Sequence, residues 1–176
     1  MRRLFLRLSA LIALPLMLLA CAPPTQTDAG PEFAFAQDAA AMRAQLAGRT
    51  AKFDGPGHGT QIEYFAPGGR AFLWYPGNAT AVPSLWKTQA GRRSAEICFK
   101  YPSRSYNPVT DEFGGRWECR PSAVFGARMT ALIEGDEFNL SSGQLPKRLP
   151  RGAILTLQQV EQVIGRSLRG NVVYQR

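Results

Sequence analysis

Along the middle of the chain, apolar and polar residues alternate in short runs broken by glycine and proline, the pattern of half-buried strands. Gln61–Phe65 and Ala71–Tyr75 are expected to pair across the turn Ala66-Pro67-Gly68-Gly69-Arg70. Leu85–Thr88 and Ser94–Tyr101 form a second expected pair, and in the latter Ala95, Ile97, Phe99 and Tyr101 share one face while Glu96, Cys98 and Lys100 share the other. Arg116–Arg120, Phe125–Ile133 and the shorter Glu137–Leu140 are further expected strands. Helical spacing flanks this region on both sides. Before it, Asp38 caps an alanine-rich stretch ending at Ala47, with Met42 and Leu46 one turn apart and Gly48 as the stop. After it, Thr156-Leu157-Gln158-Gln159 has the form of a capping box, and Leu157, Val160, Ile164 and Leu168 recur every three or four residues, so a helix runs from Leu157 to about Ile164. Asn171–Tyr174 returns as a strand. The expected fold is α+β and mainly β: a small curved antiparallel sheet or open barrel of about five to seven strands with a short N-terminal helix and a C-terminal helix.

The first twenty residues follow another logic. A basic start, Met1-Arg2-Arg3-Leu4-Phe5-Leu6-Arg7, leads into Leu8–Leu19, apolar except for Ser9 and interrupted by Pro15. That run is too short to span a bilayer comfortably and has the layout of an export signal. Its end, Leu18-Leu19-Ala20-Cys21, resembles the lipobox of bacterial lipoproteins. The resemblance implies that signal peptidase II cuts before Cys21, that its thiol carries diacylglycerol, and that its amino group takes a further acyl chain such as palmitate. It also implies the outer membrane rather than the inner, because Ala22 and not Asp follows the cysteine. Two alternatives stand beside it: an ordinary A-x-A cleavage at Ala20-Cys21-Ala22, and an incidental cysteine. The expected organisation is a signal peptide at 1–20, a lipidated tether at 21–37, a β-rich domain at 38–144 and a basic C-terminal segment at 145–176.

Charge sharpens that last boundary. The formal net charge is +8, but Arg2, Arg3 and Arg7 leave with the signal. Acidic and basic residues cancel from Cys21 to Gln144. The excess therefore lies in Lys147, Arg148, Arg151, Arg166, Arg169 and Arg176, opposed only by Glu161. This asymmetry marks the tail as a candidate binding segment for an anionic envelope component or an acidic protein. Nucleic acid is set aside because an exported protein does not meet it.

With Cys21 lipidated, Cys98 and Cys119 are the two remaining thiols. In an oxidising compartment they are expected to form a disulfide, closing a loop that stabilises a small domain by about 3 kcal/mol. A redox thiol is the alternative, but no C-x-x-C is present. The single histidine, His58 in Gly55-Pro56-Gly57-His58-Gly59, argues against a zinc hydrolase or a Ser-His-Asp enzyme. No metal or cofactor is expected. Asp111-Glu112 and Glu134-Asp136-Glu137 are the acids from which a carboxylate-dependent cell-wall hydrolase would have to be built, although their glycine-rich settings suit solvated turns.

The aromatic residues offer another surface. Phe72 and Trp74 lie in a strand apolar on both faces, with Tyr64 and Trp86 as expected neighbours. They form either a sheet buried between two layers or a hydrophobic groove for a lipid, glycan or protein. The pattern Tyr64-Phe65, Gly68-Gly69, Trp86-Lys87, Cys98-Phe99, Trp117 and Cys119 is similar to that of small exported proteins of Gram-negative bacteria, which implies an envelope location and no particular activity. The expectation is a non-enzymatic lipoprotein anchored in the membrane through Cys21 and facing the periplasm, acting in binding or assembly. The rivals are the hydrolase just named and a periplasmic inhibitor or carrier of a small apolar ligand.

Overall fold

The Ala66-Pro67-Gly68-Gly69 turn organises the sheet. Ala66 N–H donates to Arg70 O at 2.8 Å, and Gly69 takes φ +85°, which a side chain would resist. The turn joins β2 (Gly59–Phe65) to β3 (Arg70–Trp74) with Phe65 opposite Ala71 and Ile62 opposite Trp74. Trp86 then pins the turn from the next strand, donating its backbone N–H to Gly69 O at 2.8 Å and its indole N–H to Ala66 O at 3.0 Å.

A computed structural model of the protein describes residues 38–176. The signal, the tether and Cys21 lie outside the described residues. The elements run α1 (Ala39–Leu46), β1 (Arg49–Gly55), β2, β3, β4 (Val82–Ala90), β5 (Ala95–Lys100), β6 (Tyr106–Asn107), β7 (Glu112–Phe113), β8 (Glu118–Pro121), α2 (Ser122–Gly126), β9 (Met129–Glu134), a 3-10 turn (Leu140–Ser142), α3 (Leu157–Ile164) and β10 (Val172–Gln175). Eight strands form one antiparallel sheet in the order β10-β9-β1-β2-β3-β4-β5-β8, while β6 and β7 make a separate small hairpin. The fold is mainly β, a curled antiparallel half-barrel with a few helices.

Side chains measure the curl. In a flat sheet β2 and β5 would lie about 14 Å apart, at about 4.8 Å per strand. Yet Tyr101, just past β5, reaches Glu63 of β2 at 3.3 Å, and the rings of Phe65 and Phe99 are 6.1 Å apart. The concave face is filled at one end by Met42 and Leu46 of α1, packed with Phe65, Trp86, Ile97 and Phe99. Phe125 of α2 bridges the concave face, its ring 4.9 Å from that of Phe53 on β1 and 6.2 Å from that of Phe99 on β5.

The convex face is covered by the C-terminal part of the chain. Ile62, Phe72 and Trp74 pack there with Phe138, Leu140, Leu149, Leu157 and Val160. The capping box of α3 is complete, Thr156 accepting from Gln159 N–H and the Gln159 side chain accepting from Thr156 N–H. Among the described residues no helix is long and apolar enough to cross a membrane.

Several expected boundaries change. β1 is an addition to the expected strands, and it carries the polar residues Lys52 and Asp54. Both side chains face the covered convex side and satisfy one another at 2.5 Å, with Thr130 donating to Asp54 and accepting from Lys52. Phe125–Ile133 is not one strand but a short helix followed by β9. Glu137–Leu140 is not a strand at all: the Asp136 carboxylate accepts from Leu140 and Ser141 N–H, Asn139 takes φ +55°, and the chain turns into the 3-10 segment. The main sheet thus has one strand more than the upper expectation.

Candidate functional site

The half-barrel is not filled along its whole concave face. Beyond the apolar end held by α1, a cavity of about 530 Å³ opens among Phe53, Glu63, Leu73, Val82, Phe99, Tyr101 and Phe125. That volume is in the range of small-molecule sites. Strand alternation explains its chemistry: Gln61, Glu63 and Phe65 point inward from β2, so a polar pair and an aromatic ring occupy successive positions on one face. The β6–β7 hairpin overlies the cavity, contributing Tyr106, Asn107, Glu112 and Phe113 to its wall. Near its tip, a Cβ added to Gly57 would meet Val109 at 3.3 Å, so the hairpin and the β1–β2 loop lie close together there.

Glu63 is the chemical centre of this space. It is 4% exposed, and burial pushes its carboxyl up to about 8 from an ordinary value near 4.5. A hydrogen bond donated by Tyr101 and the positive charge of Arg120 pull the other way and compensate only in part. The buried Ser84 hydroxyl adds to this pull, although its geometry falls short of a full hydrogen bond. At neutral pH Glu63 is therefore predominantly a neutral acid, able to donate as well as accept. Burial raises Tyr101 too, and the neighbouring Glu63 raises it further.

Nearer solvent, His58 and Tyr75 share a hydrogen bond of 3.0 Å between Nδ1 and the phenol oxygen. Burial lowers the His58 pKa, and the charges of Arg128 and Arg120 lower it further, so the imidazole is neutral at pH 7. Burial raises Tyr75, against the opposing charge of Arg151. Arg120 of β8 and Arg128 of the α2–β9 turn thus act on the histidine, and Arg151 of the tail acts on the tyrosine. All three line the cavity and are exposed at its edge.

The residues singled out from sequence fall elsewhere, with few exceptions. Phe72, Trp74 and Trp86 are buried, and Tyr64 is half-buried with its ring 6.5 Å from that of Phe72. They are interior packing on both faces of the sheet and leave no open aromatic groove there. Of the six tail cations only Arg151 reaches the cavity. Arg166 is committed to Glu137, Arg176 donates to Ala127 O at 2.6 Å, and Lys147, Arg148 and Arg169 are exposed.

Glu137 is not a solvated turn residue. It accepts from Arg166 and from the N–H groups of Arg169 and Gly170. Burial tends to raise its pKa, but those donors outweigh burial and hold it below the ordinary value. Glu112 is the one member of the expected acid clusters that lines the cavity. Cys98 and Cys119 are directly opposed on β5 and β8 and form the disulfide. Among the described residues the one group with metal-ligand proximity is Glu96, Cys98 and Cys119, and both sulfurs are in that bond.

Sequence reasoning missed Glu63, Tyr101, Arg120 and Arg128. One signal was available for Glu63: a carboxylate two residues from Phe65 on the inward face of a strand. Comparison with protein-family models, curated proteins and solved structures finds no match, so the site is interpreted from its own geometry.

Proposed function

We propose that this chain is a lipid-anchored envelope protein, tethered through Cys21 and facing the periplasm, whose half-barrel binds a small molecule without transforming it. The observation that carries the binding reading is the cavity of about 530 Å³ inside the curl, walled by aromatic residues with one buried neutral acid and overlain by the β6–β7 hairpin. Apolar walls supply affinity, and few polar groups fix orientation. The export signal and lipobox support the location. N-phenyl-1-naphthylamine, an uncharged aromatic dye, tests the binding. Wild type should bind it saturably at one site, and Val82→Trp, which fills the cavity from β4, should lose that binding. Equal binding by the two proteins would overturn the reading. Intact mass of the mature protein tests the anchor: an acylated Cys21 is expected, and an unacylated N-terminus at Pro23 would remove it.

Glu63 itself favours a second reading, acid-assisted hydrolysis, since a carboxylic acid that stays protonated near neutral pH can serve as a proton donor. The second carboxylate is harder to find. Glu112 and Glu118 also line the cavity, but Arg116 holds both, at 2.8 Å and 3.8 Å. Glu63→Gln separates the readings. A binding module keeps its dye affinity and has no turnover to lose, whereas loss of a peptidoglycan-cleaving activity present in wild type would establish the hydrolase.

A further inference from the structure

We infer that the cavity is built for an anion: a small molecule with an apolar, ring-bearing body inside the half-barrel and an acidic group held at the mouth by Arg120, Arg128 and Arg151. This deepens the binding reading above and rests on it.

The positive charge at the mouth is unmatched. The three arginines reach the cavity wall from three separate parts of the chain, the charges of Arg128 and Arg120 acting on His58 and that of Arg151 on Tyr75. Among the described residues none of them has a salt-bridge partner or a side-chain hydrogen bond. The carboxylates that line the same space do not neutralise them. Glu63 is deep and protonated, and Glu112 and Glu118 are drawn to Arg116, which is not part of the wall. His58 is neutral and adds no charge. Three cations on one cavity wall without a carboxylate partner give the mouth a positive potential that favours an incoming carboxylate, sulfonate or phosphate. Arginine suits such groups because its planar donors bind two oxygens at once.

The interior completes the match. Phe53, Leu73, Phe99, Val124 and Phe125 present carbon to the ligand body. The Tyr101–Glu63 pair offers a neutral hydrogen-bonding floor that does not repel an anion. An ionised Glu63 would.

Two dyes of one ring system give the test. Anilinonaphthalene sulfonate carries the negative group, and N-phenyl-1-naphthylamine lacks it. Wild type should prefer the sulfonate by about tenfold or more, equivalent to about 1.4 kcal/mol. In Arg128→Gln/Arg151→Gln that ratio should fall towards one, with affinity for the neutral dye within about twofold of wild type. Raising salt should weaken only the sulfonate. Val82→Trp reports dye bound outside the cavity. A ratio unchanged in the arginine variant, with the neutral dye still bound, would overturn the anion preference and leave the binding reading intact. Failure of both dyes to bind wild type would overturn both.

Discussion

A single buried carboxyl makes the stability of this domain depend on pH in an unusual direction. Most paired acids are stabilised as anions, so proteins weaken as pH falls. Glu63 is raised, to about 8, so the folded state holds its proton more firmly than the unfolded chain does. Its contribution is fully present below the ordinary carboxyl range near 4.5 and is lost as pH rises through about 8. The groups facing it are Tyr101, Ser84 and Arg120, and of these only Arg120 favours ionisation by its charge. Thermal unfolding from about pH 5 to pH 9 should show the melting temperature of wild type falling relative to that of Glu63→Gln, since His58, lowered in the folded state, adds the same rise with pH to both proteins. Parallel curves would dismiss the raised acid. The residue was hidden in the sequence for a physical reason: alternation on β2 shows which face Glu63 occupies, but only the curl brings Tyr101 across three strand spacings to meet it. Arg120 and Arg128 were hidden in the same way, being ordinary surface cations until the closure by α2 carries them towards His58.

Among the elements, those with strong local codes were legible. The capped helices, the Pro-Gly hairpin and the alternation of β5 each follow from neighbours in sequence, and the cysteine pair follows from an even number of thiols under the expected export. β1 escaped because its polar residues are satisfied by partners distant in the chain, Thr130 among them. Glu137–Leu140 looked like a strand because its apolar residues face the convex core while Asp136 redirects the backbone. Glu137 is the fastening of the last element, receiving Arg166 and two backbone N–H groups just ahead of β10. Glu137→Ala should cost about 3 kcal/mol, since it leaves those donors without their acceptor. The urea midpoint should fall, and amide exchange should accelerate first in residues 166–175. Uniform acceleration across the sheet would show instead that the tail is not a separable unit. Thr156→Ala, which removes the cap of α3, should have a smaller effect, about 1 kcal/mol.

At the scale of the whole molecule, the sheet divides its chain into a packed convex layer and a partly vacant concave one. The pattern of apolar residues predicts that something is buried, and it does not reveal that one side is left unfilled; vacancy is a property of the curl. The disulfide ties this architecture to the hairpin over the cavity. Cys98 and Cys119, separated by 21 positions, bracket the whole of β6 and β7 and join the roots of that hairpin. Replacing both by alanine should lower stability by about 3 kcal/mol, measurable as a shift in the urea midpoint. A second consequence is kinetic. With its roots joined, the hairpin can swing only as a unit about its base and not by parting there, so under the proposed binding a ligand would leave through a narrower exit. Stopped-flow displacement should then find dye escaping several times faster from the double-alanine protein, with the entry rate changed much less. Under the proposed export, oxidants would form that bond only after arrival, and long residence in the cavity would be acquired with it.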